Sequence, residues 1–306
     1  MSRAAAWKDR IKSGTMGIAL KGVRRTFRIG RMHCLGVITA RTELLTYQCN
    51  ICGRSNTARA KGLKREVWSC PYCGSTVRFR AMIHALSLGL FGKSLALPRF
   101  PQRNDLIGVG MSDWEGYAVS LARNLGYLNA FYHQEPFLDI TAPPTEWEGH
   151  FDFVVTSDVL EHVAPPINLA FANLFRLLKP GGLLVMSVPF MKGQSTREHF
   201  PDLHRFEILR EGRVWVLKNE AKDGTTRIYH DLVFHGGPGT TVEMRLFGRE
   251  DLLHHLVEAG FTGVEVVDAP APEYGILWNP HDPEDDSYDA PIYGLDAPPI
   301  IARKPH

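Results

Sequence analysis

Four of the five cysteines fall into two Cys-x-x-Cys pairs, Cys49 with Cys52 and Cys70 with Cys73, and 17 residues separate the pairs. Cysteines at this spacing are typical of zinc sites. Four thiolates complete the tetrahedral shell of a zinc ion and leave no open position for water or substrate. The pairs therefore predict a structural zinc ribbon over residues 46–80. A redox pair and an iron–sulfur cluster are the alternatives.

Titratable side chains concentrate in the segment MKGQSTREHFPDLHRFE, which contains Glu198, His199, Asp202 and His204. A histidine with a pKa of about 6.5 can remove a proton near neutral pH, and a hydroxyl that acts as a nucleophile needs such a base. The hypothesis is that His199 or His204 is a general base. A nearby aspartate, Asp202 or Asp231, would orient it. The alternative is that this segment binds a metal ion.

Charge divides the chain into two unlike parts. Residues 1–100 contain 19 lysines and arginines against 3 aspartates and glutamates, whereas residues 101–306 contain 16 against 30. A basic front half favours a phosphate-rich partner, such as a nucleic acid, an anionic membrane surface or a phosphorylated substrate. The alternative is that it docks on the acidic part of its own chain or of a second protomer, which would make a homodimer.

From about residue 104 the pattern of strands alternating with helices predicts an α/β fold with a doubly wound, mostly parallel sheet. The expected organisation is a basic N-terminal arm (1–45), the zinc ribbon (46–80), a linker helix (81–103), the α/β domain (104–270) and an irregular C-terminal tail (271–306). Strands are expected over 105–109, 129–133, 151–157 and 183–188. No apolar run approaches 18 residues, and no secretory signal begins the chain, so we expect a cytoplasmic protein without a transmembrane segment.

The segment DLIGVGMSDWEG predicts a ligand site at the end of the first strand of this domain. Gly108 and Gly110 lack side chains, so the backbone there can approach a nucleotide-like ligand closely. A dinucleotide motif would place its third glycine at Asp113, whose charge would repel a pyrophosphate. The loop therefore favours a cofactor without phosphates.

Two further segments, FDFVVTSDVLEHV and LFRLLKPGGLLVMSVPF, follow in order. Their sequence, spacing and strand context resemble the class I S-adenosylmethionine-dependent methyltransferases, which have a Rossmann-like fold. The resemblance covers about residues 104–190 and implies S-adenosylmethionine as the cofactor. Two positions depart from the family pattern, because Leu106 replaces the usual acidic residue and Ser112 replaces the usual third glycine.

The resemblance also implies a set of cofactor-binding residues. Gly108 and Gly110 would lie against the methionine portion of the cofactor, and Glu135 would bind its ribose hydroxyls. Asp139 and Ile140 would flank the adenine. Asp158 and His162 would face the cleft between cofactor and substrate. A carboxylate such as that of Glu135 can accept two hydrogen bonds, as a ribose requires.

The segment SDVLEH stands where base-methylating enzymes carry an Asn/Asp-Pro-Pro-Tyr-type motif. It therefore favours methyl transfer to a hydroxyl of a small molecule or glycan, with a nucleotide-linked or lipid-linked sugar as an acceptor whose phosphates would suit the basic front half. Two alternatives stay open. One is an RNA methyltransferase, and the other is a non-catalytic, zinc-dependent binding module on a methyltransferase fold.

Overall fold

The computed structural model describes residues 44–278 and 297–306. These residues belong to one compact unit, Thr42–His306. Apart from Leu44 and Leu45, the predicted basic arm lies outside the described residues. Within the described part of the chain, no helix has both the length and the apolar character that a membrane span needs.

The described helices are α1 (Val77–Phe91), α2 (Glu115–Asn124), α3 (Asn168–Leu177) and α4 (Arg249–Glu258). The strands of the first part are β1 (Leu44–Gln48), β2 (Ser55–Arg59), β3 (Arg103–Met111), β4 (Leu125–Ala130), β5 (Phe151–Ser157), β6 (Leu178–Ser187), β7 (Phe190–Met191) and β8 (Arg197–Glu198). Those of the second part are β9 (Arg205–Glu211), β10 (Val214–Glu220), β11 (Thr226–Tyr229), β12 (Phe234–His235), β13 (Thr241–Val242), β14 (Arg245–Gly248), β15 (Thr262–Val266) and β16 (Ile300–Arg303).

The main sheet has six strands in the order β15-β16-β6-β5-β3-β4. Its centre is parallel, because β4, β3, β5 and β6 run in one direction, whereas β16 is antiparallel to both of its neighbours. The predicted mostly parallel α/β sheet is confirmed. Strand β5 has the predicted bounds, but β6 begins at Leu178 and its register to β5 shifts before Leu183. The Lys-Pro-Gly-Gly stretch lies within this irregularity.

Helices cover both faces of this sheet. Along β5, Phe153 and Val155 pack in one hydrophobic cluster with residues of α1 and α2, while Val154 packs in a second cluster with residues of α3 and α4. Alternate side chains of a strand point to opposite faces, and a parallel sheet buries both. The arrangement is therefore doubly wound, with the core divided between the two faces.

Helix α1 is part of the core rather than a linker. Its sequence, VRFRAMIHALSLGLF, is apolar on most sides, as expected for a fully buried helix, and Met82 and Leu86 are fully buried. Phe79 stacks on Trp114 at 4.5 Å between ring centroids. The same hydrophobic cluster contains Cys49 and other residues of the segment that carries the two cysteine pairs, residues 46–76, which we call the cysteine segment. This segment and the α/β domain therefore share one core.

The C-terminal residues also differ from expectation. The sequence predicts an irregular tail over 271–306, but Ile300–Arg303 form β16, which pairs with both β6 and β15. Ile300 and Ala302 are buried in the cluster under α3 and α4. Because prolines flank this four-residue strand, the sequence has no strand pattern there. The strand is evident only from its pairing with β6 and β15.

An insertion between β6 and α4 forms smaller sheets. Strands β9, β10 and β11 make an antiparallel meander, and β7, β14 and β8 make a short mixed sheet. Phe200, Leu217, Val242 and Met244 form its small hydrophobic cluster. The backbone amide of Met244 donates a 2.8 Å hydrogen bond to the carbonyl of Glu161. The insertion is thus attached to the main sheet just beyond the end of β5.

We expect Ile300→Ala to lower the free energy of unfolding by about 2–5 kcal/mol, because it removes a buried side chain from the sheet. The control is Glu265→Ala on the neighbouring strand β15, where the side chain is exposed; this change should have little effect. Urea denaturation followed by circular dichroism measures both. Equal stability of the two variants would show that β16 is not part of the core.

Candidate active site

The turn after β5 lies where the central strands end. Asp158 follows this strand directly and adopts a left-handed backbone conformation, with a φ of 55°. Its amide donates a 2.8 Å hydrogen bond to the carbonyl of Ser187, the last residue of β6. A short 3-10 helix, Leu160–His162, completes the turn. Ligands of doubly wound sheets bind at this carboxyl edge.

Asp158 binds two arginines, Arg65 between the two cysteine pairs and Arg78 in the first turn of α1. Arg65 donates through both terminal nitrogens, at 2.6 Å and 2.9 Å, to the two carboxylate oxygens. The Nε of Arg78 lies 3.3 Å from Asp158 Oδ2. Burial alone would raise the pKa of Asp158, but the charges of Arg65 and Arg78 outweigh it and lower this pKa to about 2. Asp158 is therefore an ionised carboxylate held by Arg65 and Arg78, which together we call the arginine clamp.

A second group of polar side chains surrounds Glu161. This residue is 1% exposed, and neither of its carboxylate oxygens has a hydrogen-bond partner among the described residues. Glu161 Oε1 lies 3.8 Å from His162 Nε2 and 3.8 Å from His235 Nδ1. Burial is the largest cause that raises the pKa of Glu161 above its ordinary value. A buried acid without a hydrogen-bond partner is unusual and indicates a function.

Glu243 joins two histidines of the insertion. His199 Nε2 lies 2.8 Å from Glu243 Oε1, and His235 Nε2 lies 3.0 Å from Glu243 Oε2. Burial would raise the pKa of Glu243, but the hydrogen bonds from these imidazoles lower it to about 2. The acidic partner of His199 is therefore Glu243, whereas the sequence analysis expected Asp202 or Asp231.

Asp202 and His204 lie apart from this group, at the start of the β9–β11 sheet. Both are exposed. Asp202 forms an ion pair with Arg227, and Asn219 links the two residues by accepting from the amide of His204 and donating to the carbonyl of Asp202. Of the three catalytic candidates, the structure thus brings only His199 to the side chains beyond β5.

Gly108 and Gly110 lie inside β3, not beyond it. A Cβ atom at Gly108 would lie 2.1 Å from the ring of Phe153, and one at Gly110 would lie 1.9 Å from the hydroxyl of Tyr127. Packing within the domain therefore explains both glycines. The loop that follows contains Ser112, whose φ of 56° is a conformation that glycine adopts most easily. This is the position at which the sequence departs from the family's glycine.

The other predicted cofactor contacts lie near the end of β4. Glu135 is exposed, and its carboxylate accepts a 3.1 Å hydrogen bond from the amide of Phe137. Asp139 accepts hydrogen bonds from the amide and hydroxyl of Thr141. Ile140 is buried in the second hydrophobic cluster. Each carboxylate therefore has a local partner on one oxygen, and the other oxygen can accept from a ligand.

The four cysteines of the two pairs meet at one point. Their sulfur atoms all lie within 4.8 Å of one another, and two pairs of them, Cys49 with Cys73 and Cys52 with Cys70, are 3.7 Å apart. Sulfur atoms at about 2.3 Å from a shared tetrahedral zinc ion would be about 3.8 Å apart. The donor set and its spacing therefore fit zinc.

Sequence reasoning missed several residues of this site. Glu161 lies within the segment SDVLEH, beside His162, so an acidic residue next to a candidate histidine was a usable signal. Glu243 carries no local signal, because it reaches the site only through the folding of the insertion. Arg65 and Arg78 carry no local signal either, because their partner Asp158 is distant in sequence.

The sequence of residues 100–266, more than half of the chain, matches a family model described as a methyltransferase domain. The chain belongs to this family. The prediction of a methyltransferase enzyme is confirmed by this match. No curated protein is significantly similar in sequence.

Several solved structures of methyltransferases are similar to the chain. One is a 1,6-didemethyltoxoflavin N1-methyltransferase from Burkholderia thailandensis, with 16% identity, a TM-score of 0.38, and coverage of 74% of this chain and 79% of that one. Another is an S-adenosylmethionine-dependent methyltransferase from Mesorhizobium loti, with 15% identity, a TM-score of 0.37, and coverage of 68% and 95%. A third is an amino pentose methyltransferase from Micromonospora echinaspora, with 14% identity, a TM-score of 0.37, and coverage of 76% and 92%.

We expect Asp158→Asn to destabilise the protein by about 3 kcal/mol at pH 7, because two partly buried guanidinium groups would keep only the more exposed carboxylate of Glu66 as a partner. The folded-state pKa of about 2 lies below the unfolded value, so the ion pair stabilises the fold above about pH 4 and less as the pH falls towards 2. The difference between wild type and variant should therefore shrink on acidification. Urea titrations between pH 7 and pH 3 measure it.

The matched control is Asp202→Asn, which breaks the exposed ion pair with Arg227. Exposed pairs contribute little to stability, so this variant should unfold almost as wild type does at every pH. If Asp158→Asn were as stable as this control, the arginine clamp would not hold the turn.

Proposed function

We propose that this protein transfers a methyl group from S-adenosylmethionine to a hydroxyl of a small molecule or glycan. The observation that carries the proposal is the group of buried carboxylates and partly buried histidines at the carboxyl edge of the sheet, in a chain that belongs to a methyltransferase family. Methyl transfer needs alignment of donor and acceptor, and a hydroxyl acceptor also needs a base. The site supplies imidazoles and carboxylates for both tasks.

The cofactor would lie across the ends of β3, β4 and β5. In this proposal, Glu135 binds the ribose hydroxyls, Asp139 and Ile140 flank the adenine, and the turn at Ser112 passes beneath the methionine portion. Glu135 is exposed beyond the end of β4, which suits a carboxylate that must accept from a ligand. Gly108 and Gly110 contribute by keeping the sheet closely packed beneath the cofactor.

His199 is the better of the two base candidates, because a hydrogen bond to Glu243 orients its ring. The His199 imidazole would take the proton of the acceptor hydroxyl. Bound S-adenosylmethionine would supply the methyl group to that oxygen and would leave as the neutral thioether S-adenosylhomocysteine. Asp158 stays ionised throughout, since Arg65 and Arg78 hold it.

We also propose a structural zinc ion at Cys49, Cys52, Cys70 and Cys73. The convergence of the four sulfur atoms supports it. The ion would fix the loop that carries Arg65, so its effect would reach the active site through Asp158.

The acceptor class and the partners stay predictions. A nucleotide-linked or lipid-linked sugar would suit the basic front half of the chain, and RNA is the alternative. RNA binding should weaken steeply as salt is added, whereas a compact sugar substrate should show a shallow dependence. A homodimer and a cytoplasmic location are likewise predictions of the sequence.

The donor is tested by calorimetric titration with S-adenosylmethionine and S-adenosylhomocysteine. We expect one site per chain in wild type, and an affinity about tenfold or more weaker in Glu135→Ala, because hydrogen bonds to a charged acceptor are lost. Glu146→Ala removes another exposed carboxylate of the same domain and should leave the affinity unchanged. If wild type bound neither compound, the proposed function would be wrong.

The zinc proposal is tested with Cys70→Ser. A ribbon that folded alone would lose zinc and leave the cofactor site intact. Because the cysteine segment shares its core with the sheet, we expect this variant to lose zinc, to melt at a lower temperature and to bind S-adenosylhomocysteine more weakly. Mass spectrometry of metal content, thermal melting and calorimetry measure these effects. Cys34→Ser, which changes the fifth cysteine, should retain one zinc per chain; retention by Cys70→Ser as well would contradict the proposal.

A further inference from the structure

We infer that Glu161, His162 and His235 form a second metal site, which binds a divalent first-row transition metal. One oxygen or nitrogen atom from each residue lies within 4.8 Å of the others. The three side chains come from the turn after β5 and from strand β12 of the insertion. This site is separate from the four cysteines and lies at the carboxyl edge of the sheet.

The hydrogen bonds of the two histidines leave the correct nitrogen atoms free to bind a metal. His162 Nδ1 lies 2.8 Å from the carbonyl oxygen of Val242. A carbonyl only accepts, so Nδ1 carries the proton and Nε2 has the lone pair. His235 Nε2 donates to Glu243, so in the neutral ring Nδ1 has the lone pair. These two nitrogen atoms, His162 Nε2 and His235 Nδ1, are the ones that face Glu161.

This pattern of outer contacts is what metal-binding histidines normally have. The nitrogen atom that does not bind the ion usually donates to a backbone carbonyl or to a carboxylate, which fixes the ring and its tautomer. Val242 supplies the carbonyl for His162, and Glu243 supplies the carboxylate for His235. Glu243 is itself held by His199. The outer shell of the site is thus already assembled.

The carboxylate of Glu161, which has no hydrogen-bond partner among the described residues, indicates that a cation binds here. Glu161 is 1% exposed. Its oxygen Oε1 is 3.8 Å from each histidine nitrogen, which is too long for a hydrogen bond. Two ligand atoms that are each about 2.1 Å from one ion lie between about 3.0 and 4.2 Å apart. The separations therefore suit ligands of a shared ion.

The charges of the neighbourhood also favour a cation. In the ion pairs of the described residues, Asp158 has two arginines and Glu198 has Arg245. The ion pairs of Glu161 and Glu243 are with histidines only. Two adjacent buried carboxylates without a permanent cation are destabilising, and one divalent ion would compensate both.

The donor set defines the kind of ion and its use. Two imidazoles and one carboxylate suit zinc, iron, cobalt or manganese and leave coordination positions open. Resting on the proposed function, the role of the ion is to bind the acceptor hydroxyl and to lower its pKa, as metals do for bound water. His199 would then take the proton of the hydroxyl, and the methyl group supplied by S-adenosylmethionine would pass to its oxygen as S-adenosylhomocysteine leaves.

Metal binding is measured without any substrate. Manganese(II) is added to the full-length protein, and the electron paramagnetic resonance signal of free manganese reports the bound fraction. Thiolates are poor ligands for manganese, so the cysteine site does not interfere. We expect one manganese ion per chain in wild type and an affinity at least about 100-fold weaker in Glu161→Gln, which keeps the shape of the side chain but removes its charge.

Further variants distinguish the loss of a metal ligand from a general loss of the fold. His235→Ala removes a proposed ligand at a partly exposed position, so it should disturb the fold less than a change at Glu161. If Glu161→Gln melts at a much lower temperature than wild type, the manganese affinity of His235→Ala is the measurement that tests the site. Glu243→Gln changes only the outer shell and should weaken binding about 10- to 100-fold. His254→Ala, which removes an exposed imidazole of α4, should have no effect. Wild type without bound manganese, or equal affinity in wild type and both ligand variants, would overturn the inference.

A separate titration with S-adenosylhomocysteine distinguishes this inference from the proposed function. Glu161→Gln should lose manganese binding and keep its affinity for S-adenosylhomocysteine. Wild type that binds manganese but not S-adenosylhomocysteine would retain the metal site and overturn the proposed function. Wild type that binds S-adenosylhomocysteine but not manganese would retain the proposed function and overturn the metal site.

Discussion

The ion pairs between Asp158 and two arginines connect the cysteine segment to the reactive edge of the sheet. Arg65 lies between the two cysteine pairs, and Arg78 lies in the first turn of α1. A buried carboxylate is tolerated only when its charge is paired. The folded cysteine segment therefore helps to hold the turn that begins at Asp158. Two regions that look separate in the sequence depend on one another through this contact.

The shared core has the same consequence. Helix α1 is apolar on most of its surface, so it cannot be a solvent-exposed linker, and the sheet face that includes Phe153 and Leu183 needs a helix to cover it. The cysteine segment is continuous with α1 and packs in the same cluster. A structural ion at the cysteines would therefore do more than fold a small module, because it would also set the position of Arg65 over the active site.

The sequence predicted the parts of the fold that depend on local patterns. Strand β5 was expected with its observed bounds, because FDFVVTS is rich in the aromatic and β-branched residues that favour strands. Strand β16 was missed because four residues between prolines have no periodicity to detect. Among candidate residues, His199 was found from its type, but its partner Glu243 is 44 residues away and carries no motif. Long-range pairing, rather than residue type, is what the sequence alone could not supply.

The candidate metal site is built from two elements that meet only in the folded protein. Glu161 and His162 belong to the turn after β5, while His235 and Glu243 belong to the insertion. Fully buried Arg245 holds these elements together by donating to the carbonyls of the turn. In the proposed site, a bound cation would offset the burial of the two carboxylates, one from the turn and one from the insertion. The ion would therefore strengthen this contact, because its ligands lie on both sides of it.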